Sequence, residues 1–400
     1  MYFTITKSFI MPVANRRSFL KLSGLSILPA MLPTTGLFAH DTIAPHYFAD
    51  EPAIKFFGDG EMFEPGAYIN LLNQVNANAA IEKDRYGDGG AVASLEKKME
   101  AITGKEKAIF MPSGTMANQL AIAVLSGENT KVFVQDTSHV YRDEADAAQA
   151  VFQKRLMPLA KDQTCFTAEE LKKAVEMLGE QEVFKSGIGA VSIENPVRRS
   201  DGRMVAIEEI RKISDYCRAN NIKLHLDGAR IFLAAAWSGV SVKEYAAYFD
   251  TVYISLYKYL GAAAGAILCG EKKVIDKMPH LIKIHGGSMY GNWANAAMAL
   301  HRLDGMENRL QNAVTKATEL FVTLNKIPGI SVTALNNGTN IYQLQLSKAI
   351  DGKKLQSSLR NTFNIRMPMP DSNNKLFIAV NETLLYRDNN YITDAFKKSV

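Results

Sequence analysis

The sequence predicts an α/β fold, with a mostly parallel central sheet covered by helices and a small C-terminal α/β domain. Two observations carry this reading. From about residue 80 to residue 257, short runs that are apolar at nearly every position alternate with amphipathic helical segments, and strands apolar on both faces belong to a sheet covered on both sides. Beyond Pro328 the pattern changes to short strands around a single helix, the mark of a second, smaller unit.

The first 39 residues read as an address and stand apart from the fold. "NRRSFLK", Asn15 to Lys21, resembles a twin-arginine export motif, an apolar segment containing Gly and Pro follows, and Ala39 is small enough for cleavage. Met11 is an alternative start. That route carries folded proteins, often with a cofactor already loaded, so the expected location is periplasmic or exported, and cytoplasmic if the motif is a chance pair of arginines.

An arm over residues 40–80 leads into the large domain, expected over 81–305. Its strand and helix pairs are "EKAIFMP" with "TMANQLAIAVLSG", "KVFVQD" with "EADAAQAVF", "IGAVSIENP" with "AIEEIRKISDYCRANN", "IKLHLDGA" with "RIFLAAAWSG", and finally "TVYISLY". A long helical region follows from Asn292 to Ile327. It joins the small domain, expected over 306–400, with strands "NIYQLQL" and "KLFIAVN" around "DGKKLQSSLRNTF".

Composition excludes several functions. With 47% hydrophobic and 22% charged residues the chain is globular, and its net charge of +5 is scattered rather than clustered, which argues against nucleic acid as a partner. Three distant cysteines form no C-x-x-C pair, so no metal site is expected and Cys269 reads as an inert core thiol. No apolar run reaches the roughly 20 residues of a membrane span.

Ligands of such sheets bind at the carboxyl ends of the strands, and four features fall there. Ser113, Gly114 and Thr115 open a helix after a strand, as a phosphate cup does, although the same triplet serves as a turn and N-cap. His139 follows "KVFVQD", where an imidazole can stack on a ring, handle protons or merely cap. Asp227 ends an apolar strand in "HLDGARIF", where a buried carboxylate can pair with a pyridinium nitrogen. Arg230, three residues on, can clamp a substrate carboxylate. Lys258 lies in "DTVYISLYKYLGAAAGAILCG", where burial would favour the neutral, nucleophilic amine. A phosphate cup, a ring contact, a pyridinium partner and a Schiff-base lysine together specify pyridoxal 5'-phosphate, with the small residues Gly261 to Gly265 packing closely around the ring.

These residues resemble the threonine aldolase branch of the β-eliminating lyases, fold type I of the pyridoxal-phosphate enzymes. The resemblance runs from Asp84 to Asp304 and is densest in "DRYGDGGAVASLEKKMEAITGKEKAIFMPSGTMAN", "SIENP", "HLDGARIF" and "GAILCG". It implies that Lys258 forms the Schiff base, Asp227 pairs with the pyridine nitrogen, His139 stacks on the ring, Gly114 and Thr115 bind phosphate, and Arg230 contacts the substrate carboxylate. It also implies that Glu144 lies near the site, that Tyr86 reaches it from a neighbouring subunit, and that the chain assembles as a homodimer or homotetramer with shared sites.

The substrate shell departs from the family pattern. Tyr257 and Tyr259 flank the lysine where Ser and Gly are usual, and two phenols there should narrow the site or supply a proton donor. Val197 stands where a histidine contacts the substrate hydroxyl, and Tyr290 where an arginine helps bind phosphate. Gly58, Asp59 and Gly60 replace Ser-Asp-Thr. Lys375 replaces a second carboxylate-binding arginine, with Arg366 as an alternative register, and an ammonium cannot form the same fork.

The expected function is therefore a lyase that cleaves a β-hydroxy-α-amino acid to glycine and an aldehyde. The alternatives are β-elimination, racemisation or transamination of another amino acid, or a non-catalytic exported binding protein. Retention of Lys258, Asp227, Arg230 and His139 argues against the last.

Overall fold

The structure, a computed structural model, describes residues 51–400; the address segment 1–39 and residues 40–50 of the arm lie outside them. The strands are β1 (Ile54–Lys55), β2 (Lys107–Met111), β3 (Lys131–Gln135), β4 (Arg155–Leu159), β5 (Ile188–Glu194) and β6 (Lys223–Asp227). They continue with β7 (Thr251–Ser255), β8 (Ala266–Gly270), β9 (Ile330–Ala334), β10 (Ile341–Leu346), β11 (Ile365–Arg366) and β12 (Lys375–Ala379).

Seven strands form the central sheet in the order β2-β8-β7-β6-β5-β3-β4. Strands β4, β3, β5, β6 and β7 run parallel. β8 pairs antiparallel with both β7 and β2. Two antiparallel steps restore the direction, so β2 points the same way as β7 and only β8 is reversed. The carboxyl ends of β2, β3, β5, β6 and β7 therefore share one edge. Every residue of β3 and β7 is buried, as expected of strands covered on both faces.

Local chemistry sets the helix ends. Ser113 accepts a hydrogen bond from the Met116 N–H and starts the helix Gly114–Ser126. Thr167 and Glu170 form a reciprocal capping box on the helix Ala168–Gln181. Gly104 ends the helix Gly90–Thr103 at φ 67°, a left-handed conformation that suits glycine.

The small sheet has the order β12-β10-β9, antiparallel throughout. The helix Met306–Leu324 joins the two cores: Met306 and Leu310 pack in the large one, and Ala313 to Leu324 in the small one. The arm also belongs to both. β1 pairs parallel with β11, and the helix Pro65–Asn78 packs on the helix Trp293–Leu303. Residues 51–400 accordingly fall within a single compact unit.

Cys269 is fully buried and its thiol is pushed up to about 12 by burial, an inert core residue as expected. Among the described residues no helix is long and apolar enough to cross a membrane.

Candidate active site

The common strand edge gathers the expected residues from distant parts of the chain. β3 leads to His139, β5 ends in Glu194, β6 ends in Asp227, and β7 is followed by Tyr257 and Lys258. Register aligns them further. Glu194 lies opposite Asp227 across β5 and β6, Thr251 lies opposite His225 across β6 and β7, and Tyr253 lies opposite Asp227.

A cavity of about 280 Å³ is lined by Gly58, Asp59, Met62, His139, Arg198, Arg230, Tyr257 and Lys258. Burial, aided by the Arg230 guanidinium, brings the Lys258 amine down to about 8. Its Nζ lies 5.2 Å from the centre of the Tyr257 ring and 6.0 Å from that of Tyr253. Arg230 donates from Nε to Asp59 Oδ1 at 2.7 Å, which leaves its two terminal nitrogens for a ligand.

Beside this cavity the carboxylates are held by a buried network. Asp227 is 1% exposed; its Oδ1 accepts from the Ala229 N–H at 3.2 Å and its Oδ2 from Asn118 Nδ2 at 3.0 Å. Asn118 Nδ2 also donates to Glu144 Oε1 at 2.7 Å, and His139 Nδ1 meets that same oxygen at 3.0 Å. The His139 backbone N–H donates to Glu194 Oε2 at 2.7 Å, and the Arg198 N–H to Glu194 Oε1 at 2.9 Å. A ring nitrogen of His139 and one carboxylate oxygen each of Glu144 and Asp227 lie within 4.8 Å of one another, so their charges are linked. The bond to Glu144 raises the His139 imidazole above its ordinary value. Burial, reinforced by Asp227, pushes the Glu194 carboxyl up to about 7.

Gly114 is required by contact. A Cβ there would lie 2.0 Å from Tyr253 Oη and 2.5 Å from Cζ. The Tyr253 phenol therefore sits against the helix N-terminus, which the Ser113 hydroxyl caps, with Thr115 half-buried beside it.

Three expected residues lie elsewhere. Tyr86, 53% exposed, packs edge-on against Tyr290 with ring centres 5.3 Å apart. Both stand away from the Lys258 cavity, and Tyr86 borders a second one of about 600 Å³ with Glu96, Lys107, Lys283 and Met289. Lys375 begins β12 with its Nζ 5.0 Å from the Phe377 ring centre and does not line the Lys258 cavity. The expectation of two phenols beside the lysine needs correction: Tyr257 lines the cavity, but Tyr259 is 1% exposed and packs on Phe232, because the chain leaves β7 through an irregular bend and turn that carries Tyr259 into the core.

Sequence reasoning missed Asn118, Glu194 and His225 as parts of the site. His225 precedes Asp227 by two residues on a strand, so period-2 alternation places both side chains on one face, and that signal was available.

Residues 70–347 match the family model described as beta-eliminating lyase. A low-specificity L-threonine aldolase from Candida albicans is 36% identical over 292 residues, covering 72% of this chain and 77% of that protein. An alanine racemase from Cochliobolus carbonum is 32% identical over 222 residues, covering 55% of this chain and 66% of that protein. A solved structure from Listeria monocytogenes EGD-E, described as an L-allo-threonine aldolase, has TM-score 0.72 at 24% identity and covers 88% of this chain and 98% of that one. That likeness is one of fold.

Proposed function

The chain belongs to the β-eliminating lyase family, and from this premise we propose that it is a pyridoxal-phosphate-dependent lyase that cleaves a β-hydroxy-α-amino acid to glycine and an aldehyde. Its fold is that of the fold type I pyridoxal-phosphate enzymes. The observation that carries the proposal is one cavity that joins a lysine amine brought down to about 8, a free pair of Arg230 nitrogens and His139.

The residues present fit the cofactor. The N-terminus of the helix Gly114–Ser126 offers N–H groups and a positive dipole end to a phosphate, with Thr115 adding a hydroxyl. Asp227 is a buried acceptor already held by two donors, suited to a ring N–H. When bound, pyridoxal phosphate supplies an aldehyde for amines and a ring that accepts electrons from the substrate Cα. Lys258, brought down to about 8 by burial and so with a large neutral fraction near that pH, would be the amine that meets that aldehyde. His139 would hold one face of the ring, and with its Nδ1 committed to Glu144 its Nε2 is a candidate base for the β-hydroxyl proton; the Tyr257 hydroxyl and an ordered water are the others.

The substrate carboxylate goes to Arg230, with Arg198 as the second cation. Arg198 lines the cavity, and its only ion-pair neighbour among the described residues, Asp143 at 3.7 Å, is already forked by Arg199. Arg198 thus fills the role for which Lys375 was expected.

The test is the absorption spectrum of the purified protein and of Lys258→Ala, before and after borohydride, followed by aldehyde release from a panel of β-hydroxy amino acids. A visible band that borohydride abolishes and the variant lacks, with glycine and aldehyde as products, is expected. A protein that pyridoxal phosphate cannot colour would overturn the proposal. The similarity to an alanine racemase supports a second reading, racemisation without carbon–carbon cleavage, which exchange of the substrate α-hydrogen with no aldehyde release would reveal.

Two further readings belong here. Residues 1–39 act as a twin-arginine signal; a reporter fusion that stays cytoplasmic with Arg16 and Arg17 intact would remove this reading. The chain forms a homodimer or homotetramer in which Tyr86 completes a neighbour's site, supported by its exposure and by its not lining the Lys258 cavity of its own subunit; a monomer in light scattering would oppose it.

A further inference from the structure

Asn118 occupies a crossing point that the reaction itself does not explain. It is fully buried on the helix Gly114–Ser126, and its side chain touches three groups, two of them on β6 and one, Glu144, in the turn after the helical segment that begins at His139. Both Nδ2 contacts are carboxylates, Glu144 and Asp227. Ionised carboxylates only accept, so the amide must present its NH2 to them and its Oδ1 to the remaining neighbour, His225 Nε2 at 3.0 Å. His225 must then donate from Nε2.

That requirement assigns the state of His225. The ring is fully buried and burial holds it down at about 4, hence neutral, with a single N–H. If Nε2 carries the proton, Nδ1 is an acceptor, and the Thr251 hydroxyl at 2.8 Å is placed to donate to it. Thr251 is also fully buried. The donors run one way: Thr251 to His225, His225 to Asn118, and Asn118 to both Asp227 and Glu144. Glu144 in turn holds His139.

We propose that Asn118, oriented by the Nε2–H tautomer of His225, is the positioning residue that fixes Asp227 under the cofactor ring nitrogen and, through Glu144, fixes His139 beside the ring. One amide thus sets the two side chains that grip the ring from different directions. The inference rests on the reading that pyridoxal phosphate binds here. Outer-shell partners of this kind tune the group they hold without touching the ligand.

The test uses the purified full chain. In the cofactor-free protein, nitrogen-15 imidazole spectra should show His225 as the neutral Nε2–H tautomer, and Asn118→Leu should alter that signal. Pyridoxal phosphate titration should give a Kd raised about tenfold or more for Asn118→Leu and for His225→Phe, with a shifted pH profile of the bound cofactor's absorption. His225→Gln keeps a side-chain N–H and should recover most of the affinity. An Nδ1–H tautomer, or folded variants with the parent's Kd and pH profile, would overturn the inference while leaving the cofactor reading intact. If the parent fails to bind pyridoxal phosphate, both fall. Should the two variants fail to fold, the tautomer in the parent and the behaviour of His225→Gln decide the question.

Discussion

Replacing Gly114 by alanine tests the close approach of Tyr253 to the helix N-terminus directly. The new Cβ would lie 2.0 Å from Tyr253 Oη, 2.5 Å from Cζ and 3.2 Å from Cε1. Ordinary contact begins near 3.4 Å, so the ring or the helix end must retreat by about 1.4 Å at the phenol oxygen. Tyr253 has little room to do so: it is 3% exposed, sits in β7 and packs within a buried cluster with Met111, Ala117 and Ala229. Overpacking of this kind costs roughly 1–3 kcal/mol, more than the few tenths to about 1 kcal/mol that alanine regains by restricting the unfolded chain. A clash this deep takes the upper end of that range, and the net loss of about 2 kcal/mol corresponds to a Tm lower by roughly 2–3 °C in a chain of this length. Thermal melts of the cofactor-free protein measure this, and pyridoxal phosphate titration measures the damage to the cup. Tyr253→Phe removes the nearest atom but leaves the Cζ contact, so the double variant should regain only part of the loss. If Gly114→Ala melts with the parent and binds pyridoxal phosphate equally well, the required close approach is wrong.

Other perturbations address charge and specificity. Burial pushes Glu96 up to about 7 while its Oε1 accepts from the Phe110 N–H at 2.8 Å. Because the folded-state value is raised, its contribution is fully present below the unfolded value of 4.5 and lost as pH rises through about 7. Glu96→Gln keeps the acceptor and should stabilise the protein at pH 8 by about 2 kcal/mol, while denaturant titrations at pH 4.5 should show no gain. Arg198→Gln should raise the KM for amino acids about tenfold with kcat little changed, whereas Lys375→Ala should change neither; the opposite pattern would return the carboxylate to Lys375. The raised imidazole of His139 means that a neutral Nε2 becomes available only as pH rises through its elevated value, so kcat/KM should climb on the alkaline side of the ordinary histidine range. A flat profile would remove His139 as the base.

Much of the site was legible because its residues follow strand ends. Gly114, His139, Asp227, Arg230 and Lys258 each lie in or within four residues of a largely buried strand, and the apolar positions of such strands mark them by composition. What could not be read was which side chains would meet. Asn118 and His225 are 107 positions apart, and nothing in either local pattern announces the bond. The departures at Tyr257 and Tyr259 looked equivalent along the chain, yet one lines the cavity and the other fills the core.

By itself the sequence determined the alternation of strands and helices, the strand edge that carries the candidate site and the apolar setting of Lys258, since burial on both faces and the turns at strand ends leave local signatures. Only the tertiary structure decided that β8 runs backwards so that β2 rejoins the common edge, that Arg198 and not Lys375 lines the cavity, and that a buried amide joins Asp227 to Glu144. These depend on register between strands and on side chains brought together across the sheet. Their energies come from contacts between distant residues, which no window along the chain contains.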